Sequence, residues 1–334
     1  MTDSPRIGYS INELIDGATD RVEVHPDDGK SGAYFEKLRI DGEPYFLKVL
    51  SHEDDWIMRC TGNLDHWEFK AWRAGLYHRM PNEVDPAMVA MAIDEADDRP
   101  RLAMLMRDIS DYLVPSGDEK IPVDQHDRFM DHMAAAHATM WSWRDNVGLS
   151  SMRSRLLFFA PKTIAPELDA DEVPVPIKVA HEGWQRLPER APNLATAVTP
   201  LHDEPDPLIA ALASTPVTLL QGDWKLGNLG SHPDGRSIVL DWAYVGSAAG
   251  CWDLVWYLAL NSARNPRSKE ESIITYRLGL EKRGVDTKPW FDKQLALCLI
   301  GIMAAFGWEK AVGDADELAW WDDAVARALR LYER

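Results

Sequence analysis

The first hundred residues alternate short apolar and polar runs with turn-forming residues, which is typical of a meandering sheet. The runs predict five strands, near residues 21–25, 33–40, 45–50, 87–93 and 102–106. Asp41 and Gly42 form a tight hairpin between the second and third strands, because glycine accepts the positive φ that such a turn requires. An acidic turn over 94–100 separates the last two strands. The pattern therefore predicts an antiparallel sheet complete by Met106.

Helical periodicity appears once inside this region and dominates after it. Residues 65–80 are predicted to form one helix that buries four apolar side chains: Trp67, Ala71, Trp72 and Leu76. From Pro122 onward the pattern is mainly helical, with predicted helices at 124–143, 178–187 and 207–214. The fold class is thus α+β, with a hinge over 105–110 between a sheet region and a larger helical region.

The longest apolar stretch, 295–306, is twelve residues long. A bilayer span needs ~20 apolar residues, so this stretch is predicted to be a buried core helix. The amino terminus carries no targeting signal, which favours a cytoplasmic protein. Cys60, Cys251 and Cys298 form no CxxC pair and are expected to be reduced, buried thiols.

Composition narrows the class of partner. The 334 residues are 46% apolar and 27% charged, which is the composition of an ordinary enzyme. Acidic residues outnumber basic ones by 54 to 36, which gives a net charge of −18. Such a charge disfavours nucleic acid and anionic membranes as partners and attracts cations such as aminated sugars. The alternative is that surface acid only maintains solubility.

Residues 221–241 carry the side chains that most suggest chemistry. Asp223 opens a tight loop, Asn228 follows five residues later, and Asp241 closes the next strand. Carboxylate and amide oxygens can hold Mg²⁺ against a triphosphate, and a carboxylate can accept the proton of an attacking hydroxyl. The spacing predicts a phosphotransferase with Asp223 as the base and Asn228 and Asp241 as metal ligands.

Two features of the sheet region are compatible with phosphate binding. Phe46 and Lys48 are two apart on one strand, so they share a face and could meet adenine and phosphate. The alternative for Lys48 is a strand-edge lysine that discourages aggregation. Gly29 and Gly32 could let backbone amides approach a phosphate, although a plain hairpin explains them equally well. A P-loop is rejected, because its first glycine would fall at Val24.

The predicted helix at 124–143 contains four possible metal ligands, Asp127, Asp131, His132 and His137. The two histidines are five apart and do not share a face, unlike the histidines of a zinc helix. A metal site on this helix is therefore disfavoured.

Five segments in order resemble the aminoglycoside phosphotransferase and choline kinase family, relatives of the protein kinases. Residues 221–228 are similar to that family's catalytic loop, His-Gly-Asp-x-x-x-x-Asn, and residues 238–242 to its metal-binding Ile-Asp-Trp. Residues 251–254 resemble the downstream Asp-Leu, 104–109 the hinge sequence Leu-Leu-Met-Glu-Asp-Leu, and 133–137 the Leu-x-x-Leu-His helix. Together they span nearly the whole chain.

The resemblance implies a bilobal, protein-kinase-like fold with ATP and Mg²⁺ as cofactors. Residues 1–106 would form the nucleotide-binding lobe, and 107–334 the catalytic and substrate-binding lobe. Lys48, held by Glu68, would grip the α and β phosphates. The other implied nucleotide-binding residues are Phe46, Met106, Arg107, Ile109, Gly29 and Gly32.

In the catalytic loop the resemblance implies that Lys225 stabilises charge on the transferring group and that Asp253 orients the loop. Gln221 replaces the family's first histidine, and Lys225 replaces a histidine often found two residues after the aspartate. Gln221 can still hydrogen-bond the loop backbone, so activity is expected to survive.

The leading interpretation is an ATP-dependent kinase that phosphorylates a hydroxyl of a small molecule, either an amino sugar, a sugar or an aminoglycoside-like alcohol. The alternatives are a choline-like amino-alcohol kinase and an inactive nucleotide-binding pseudokinase. Only eleven residues separate Asp241 from Asp253, too few for a regulatory activation loop, so a protein kinase is disfavoured. The oligomeric state stays open.

The carboxyl end offers candidate acceptor contacts. Carboxylates and indole faces could bind a cationic or sugar substrate. The residues proposed for this role are Trp308, Glu309, Asp316 and Trp320. The alternative is that amphipathic helices pack these tryptophans inward and leave the acids in water.

Overall fold

The computed structural model describes residues 4–25, 32–96 and 99–332. The strands in these ranges are β1 Arg6–Gly8, β2 Thr19–Glu23, β3 Tyr34–Ile40, β4 Glu43–Ser51, β5 Val84–Asp85, β6 Met88–Asp94, β7 Arg101–Arg107, β8 Thr218–Leu220, β9 Leu229–Ser231, β10 Ser237–Val239 and β11 Gly246–Ala248. The helices are α1 Ile11–Leu14, α2 Trp56–Thr61, α3 Trp67–Arg73, α4 Val123–Thr139, α5 Met152–Leu157, α6 Pro161–Leu168, α7 Val175–Arg190, α8 Pro192–Val198, α9 Asp206–Ala213, α10 Cys251–Leu260, α11 Lys269–Lys282, α12 Phe291–Val312 and α13 Ala315–Tyr332.

The amino-terminal region is a six-stranded sheet with the order β1-β6-β7-β4-β3-β2. Strands β2, β3, β4, β6 and β7 are the five that the sequence predicts, and they pair antiparallel. Asp41 and Gly42 have φ of 53° and 83°, as the predicted hairpin requires. The sixth strand, β1, pairs parallel with β6. Its three residues are too few for an alternating pattern to be recognised.

The prediction of one helix over 65–80 is wrong in its extent. Helix α3 ends at Arg73, because Gly75 adopts φ +71° and its N–H donates to the Trp72 carbonyl at 2.8 Å. Two further short helices, α1 and α2, also pack in this region. The side chains predicted to face inward are buried: Trp67, Ala71, Trp72 and Leu76.

Successive side chains of β4 point to opposite faces of the sheet, and the two faces have different surroundings. Leu47 and Val49 point to one face, where they pack in a small core with Leu14 of α1. Phe46 and Lys48 point to the other face, which forms a wall of the cleft described below. The pairing of β4 with β3 and β7 on either side fixes this strand at the centre of the sheet.

The carboxyl-terminal region is mainly helical and surrounds α12. Helix α12 extends the predicted 295–306 stretch to 22 residues, and most of its side chains are buried, so the prediction of a core helix is confirmed. Among the described residues it is the one helix long and apolar enough to cross a membrane, but 83% of its apolar window is buried inside the protein. The three cysteines are free and buried, as predicted.

Two small sheets in the helical region include the strands that border and lie within residues 221–241. Strands β8 and β11 pair antiparallel, and β10 pairs antiparallel with β9 and parallel with β5. Since β5 precedes β6 and β7 in the chain, this parallel pair joins the amino-terminal region to the helical one.

Candidate active site

Strand pairing brings together the polar residues of the 221–241 segment. The chain leaves β8 at Leu220, turns through the loop and enters β9 at Leu229, whose partner in β10 is Val239. Directly beyond this pair, the Leu240 N–H donates to the Asn228 carbonyl at 2.9 Å. Asn228 and Asp241 therefore lie side by side although twelve residues separate them in sequence.

The loop has one position where a side chain is sterically excluded. Gly222 adopts φ +92°, and a Cβ there would lie 2.4 Å from the Tyr244 carbonyl oxygen. Only glycine allows both the backbone conformation and the close approach of the two chain segments. This turn directs Asp223 toward the interior.

The Asp223 carboxylate is buried and hydrogen-bonded at both oxygens. Its Oδ1 accepts from Trp256 Nε1 at 2.9 Å, and its Oδ2 accepts from Asn228 Nδ2 at 2.8 Å and lies 2.8 Å from Lys225 Nζ. Burial raises the pKa of Asp223, and the Lys225 ammonium opposes that rise. A carboxylate with a raised pKa and fixed geometry is suited to accept a proton.

Lys48 contacts Asp241, with Nζ to Oδ1 at 3.0 Å. Burial alone would lower the pKa of Lys48, but Asp241, with smaller effects of Asp55 and Glu68, outweighs it and the net shift is upward. In turn, the Lys48 and Lys225 ammonium groups hold the pKa of Asp241 below its usual value despite burial. The site is thus an alternating set of two lysines and two carboxylates.

The expected pairing of Lys48 with Glu68 is corrected by this geometry. Glu68 lies behind the site, where its Oε2 accepts from Asn63 Nδ2 at 3.1 Å, and it feels Lys48 only through space. Burial raises the pKa of Glu68 to about 7. The ammonium takes the stronger acid, Asp241, as its direct partner.

Gln221 and Asp253 hold the backbone of the loop. The Gln221 amide donates to the carbonyls of Leu240 and Asp241 at 2.8 and 2.5 Å, and its oxygen accepts from the Asp223 N–H at 2.8 Å. Asp253 Oδ2 accepts from the N–H groups of Gln221 and Gly222 at 3.1 and 3.3 Å. The glutamine amide therefore links the loop to the Asp241 segment.

The two lysines and two carboxylates of the site face a cleft of about 570 Å³ between the sheet and the helical region. Eleven of the residues predicted as site residues line it: Phe46, Lys48, Met106, Arg107, Ile109, Asp223, Lys225, Asn228, Asp241, Trp308 and Glu309. A volume of this size suits a small-molecule ligand.

Four other predicted residues lie outside the cleft lining, and a fifth is outside the described residues. Asp316 and Trp320 lie on α13 outside the cleft lining, where Trp320 Nε1 donates to Glu270 and its ring stacks under Lys269. Gly32 also lies outside the lining, and a Cβ there would be 2.2 Å from the Asp54 carbonyl oxygen. Glu68 lines a small adjoining pocket, and Gly29 lies outside the described residues.

The donor set fits a Mg²⁺ ion that is shared with phosphates. The Asn228 amide nitrogen donates to Asp223, which leaves its oxygen available as a ligand, and Asp241 adds a carboxylate. Among the described residues no group of three or more acidic, histidine or cysteine side chains could hold a metal ion alone. Mg²⁺ commonly uses one or two protein oxygens together with substrate phosphates, so two ligands suffice.

The four titratable residues noted on α4 have structural partners. Asp127 and Asp131 form ion pairs with Arg267 and Arg283, and His132 Nδ1 bonds the Ser237 hydroxyl at 2.8 Å. The nearer ring nitrogen of His137 bonds the Tyr276 hydroxyl at 2.8 Å. These contacts tie α4 to its neighbours.

Sequence reasoning missed several cleft residues. Trp256 contacts Asp223 from 33 positions away, and Asn261 Oδ1 accepts from the Leu226 N–H at 2.9 Å. Phe158, Phe159 and Phe306 form much of the aromatic wall. The apolar helix 251–260 contains a tryptophan one turn after Asp253, which was the available signal for Trp256.

Comparisons with known proteins agree with this arrangement. A choline kinase from Streptococcus pneumoniae superimposes with a TM-score of 0.53 at 12% identity, covering 96% of this chain and 98% of that one. A thermostable mutant of an aminoglycoside phosphotransferase, in ternary complex with ADP and hygromycin B, gives 0.51 at 13% identity, covering 96% of both chains. At such identities the likeness concerns the fold, and it confirms the predicted bilobal kinase-like architecture.

A search of curated protein sequences finds no match. The profile of the phosphotransferase enzyme family matches residues 69–283, which is more than half of the chain and includes the whole catalytic loop. The protein is therefore an enzyme that belongs to the phosphotransferase enzyme family.

Proposed function

We propose that the protein is an ATP-dependent kinase that transfers the γ-phosphate to a hydroxyl of a small molecule. The observation that carries the proposal is the convergence of Lys48, Asp223, Lys225, Asn228 and Asp241 on one cleft. Residues 1–106 would act as the nucleotide-binding lobe and 107–334 as the catalytic and substrate-binding lobe. A cytoplasmic location remains part of this proposal.

Each residue receives a role from its charge and position. Asp223 would hold the acceptor hydroxyl and take its proton, because it is buried, oriented and raised in pKa. Lys225, 2.8 Å from Asp223, would place positive charge beside the transferring group. Lys48 would bind phosphate oxygens, and Phe46, Met106, Arg107 and Ile109 would surround the base and ribose.

Asn228 and Asp241 would hold Mg²⁺. The ion, when bound, neutralises phosphate charge and orients the triphosphate. Because Lys48 contacts Asp241, its ammonium group lies next to the proposed metal ligand, where the phosphate oxygens would also bind. Phosphoryl transfer depends mainly on such positioning and charge neutralisation.

The acceptor proposed first is an amino sugar, a sugar or an aminoglycoside-like alcohol. The net charge of −18 supports a cationic partner. Among the carboxylates that line the cleft, Glu309 is the closest in sequence to the aromatic lining residues Phe306 and Trp308. Asp316 and Trp320 are not carried into this proposal, because they lie outside the cleft lining.

A choline-like amino alcohol is the second candidate, and the cleft wall favours it specifically. Phe158, Phe159, Phe306 and Trp308 belong to the cleft lining, as does Glu309, whose carboxylate already pairs with Lys310 at 2.7 Å. Aromatic faces next to a carboxylate that is already paired suit one small ammonium group better than a polycation. Compact acceptors with one ammonium group therefore belong in a screen beside the sugars.

An ADP-release screen with Mg-ATP tests the proposal. Aminoglycosides, hexosamines, neutral sugars and amino alcohols are supplied one at a time, with the product checked for a phosphate ester. Turnover with amino sugars or aminoglycosides supports the first acceptor class, and turnover confined to amino alcohols supports the second. Turnover only with neutral, non-sugar alcohols would contradict both acceptor assignments.

A further inference from the structure

Trp256 contacts the proposed base from a separate helix. Its indole N–H donates to Asp223 Oδ1 at 2.9 Å, whereas Asn228 and Lys225 both approach Oδ2. Among the described residues, Trp256 is the one side chain found within hydrogen-bond distance of Oδ1. The two ends of the carboxylate are thus held by different parts of the fold.

The indole ring is itself fixed. Trp256 is 2% exposed, and its ring stands edge-on to Phe306 at 4.8 Å between centroids, with Tyr244 at 5.5 Å and Phe158 stacked at 6.0 Å. A side chain packed on three sides keeps one rotamer. Its N–H therefore offers a donor of constant direction.

Helix α10 uses two successive turns to hold the loop. Asp253 accepts from the backbone N–H groups of Gln221 and Gly222, and three residues later Trp256 donates to the Asp223 side chain. Residues three apart lie on one face of a helix, so both contacts come from the same side of α10. The helix fixes the loop backbone and the carboxylate together.

We propose that Trp256 is a positioning residue that fixes the plane of the Asp223 carboxylate for attack by the acceptor hydroxyl. This inference rests on the proposed function, in which Asp223 is the base. Without the indole N–H, the carboxylate can rotate about its last bond, held from one end only.

The test compares two tryptophan-to-phenylalanine substitutions on the same helix. Trp256→Phe removes the N–H that contacts Asp223. Trp252→Phe is the matched control, because Trp252 is also fully buried on α10 but its Nε1 has no hydrogen-bond partner among the described residues. Both variants are compared with the wild type for thermal unfolding, for KM of ATP and for kcat.

We expect Trp256→Phe to lower kcat about tenfold or more, because the carboxylate loses one of its two fixed ends and the base is then misplaced relative to the acceptor hydroxyl. KM for ATP should stay unchanged, since the residues proposed to bind the nucleotide are left in place. Trp252→Phe should keep the wild-type kcat and KM even if its Tm falls.

Benzothienylalanine at position 256 provides a second variant if phenylalanine prevents folding. This analogue keeps the bicyclic shape of tryptophan and lacks the N–H, so packing against Phe306 and Phe158 is preserved. It should show the same fall in kcat with an unchanged KM for ATP. A wild-type kcat in this variant would overturn the inference.

Asp223→Asn separates the two proposals. If this variant keeps wild-type turnover, Asp223 is not the base and the proposed function fails in that respect. If it loses turnover while the Trp256 variants keep wild-type kcat, the base assignment stands and the positioning role of Trp256 is wrong.

Discussion

Glu68 is a buried carboxyl group whose strongest cationic neighbour, Lys48, is bound to another acid. Its pKa rises from 4.5 to about 7 because burial disfavours the charged form. Below about pH 4.5 the carboxyl group is protonated in both the folded and the unfolded protein, so it does not affect the free energy of unfolding. As pH rises from 4.5 to about 7, the unfolded chain releases the proton first, and the free energy of unfolding falls.

Replacing Glu68 with glutamine should remove this pH dependence. We expect the free energy of unfolding of the wild type, relative to Glu68→Gln, to fall between about pH 4.5 and 7, by on the order of 3 kcal/mol. Urea unfolding of both proteins at several pH values measures the difference. Parallel curves would show that Glu68 is not held in a desolvated position.

Gly222 combines a positive φ with a close contact to another chain segment. Gly235 has a similar φ without such a contact, so it is a control for the effect of the backbone conformation alone. Gly235 has φ +95° and open space within 4 Å of where a Cβ would lie, whereas Gly222 has φ +92° and the Tyr244 carbonyl oxygen at 2.4 Å. Gly235→Ala should cost about 1–2 kcal/mol of stability from the backbone alone.

Gly222→Ala should cost clearly more than Gly235→Ala, because the loop must also move away from Tyr244. It should lower kcat as well, since Asp223 is the next residue. Thermal unfolding and turnover of the two variants provide the comparison. Equal losses in stability would mean that the loop relaxes around the new methyl group without difficulty.

At the scale of elements, the catalytic loop is attached to the β10 end by one side chain. Gln221→Ala would leave the Leu240 and Asp241 carbonyls and the Asp223 N–H without this partner. Each buried polar group left unpaired costs about 1–3 kcal/mol. We expect a fall in stability and a fall in kcat of tenfold or more.

Gln221→His restores the residue that the related kinases carry and is the natural comparison. An imidazole can replace part of the amide's hydrogen bonding, so this variant should retain more activity than Gln221→Ala. If alanine at this position gave wild-type kcat, the loop would be held by Asp253 alone and the amide would have no positioning role.

The elements themselves were predicted to different degrees. Alternation located the five long strands, because each is bordered by turn residues such as Asp41 and Gly42 and has a polar face. The pattern failed for β1, which gains its order by pairing with β6, and for α3, which ends where Gly75 closes the turn. Short elements depend on tertiary contacts that local sequence does not encode.

In the candidate site, too, local relationships were predictable from the sequence and long-range contacts were not. The spacing of Asp223, Asn228 and Asp241 was sufficient to predict that they lie together, since one loop and one hairpin connect them. Contacts between distant segments were not predictable in this way. The Lys48 pairing with Asp241 spans 193 positions and the Trp256 contact with Asp223 spans 33, so both depend on the assembled fold.

On the scale of the whole molecule, the Lys48–Asp241 ion pair joins the sheet region to the catalytic segment across the cleft. If this is the nucleotide site, Mg-ATP should bridge the same two regions and stabilise the folded protein. Ligand at about a hundredfold its Kd contributes about 2.7 kcal/mol. Magnesium alone should give little effect, because its protein ligands number only two.

Lys48→Met should lose most of the thermal stabilisation by Mg-ATP. Lys70→Met serves as a control, since Lys70 lies on α3, pairs with Asp65 at 2.7 Å, and neither residue belongs to the cleft lining. Differential scanning fluorimetry with and without Mg-ATP measures the shifts. A full shift in Lys48→Met would place the phosphates elsewhere.

The most direct test of a catalytic cleft is transfer of labelled γ-phosphate to an accepted alcohol, compared between the wild type and Asp223→Asn. The wild type should form one phosphate ester per ADP released. Asp223→Asn should bind Mg-ATP normally and lose about a hundredfold to ten-thousandfold in kcat, the usual contribution of a general base. A wild type that binds Mg-ATP but transfers no label to any acceptor class, or an Asp223→Asn variant with the wild-type rate, would contradict the account.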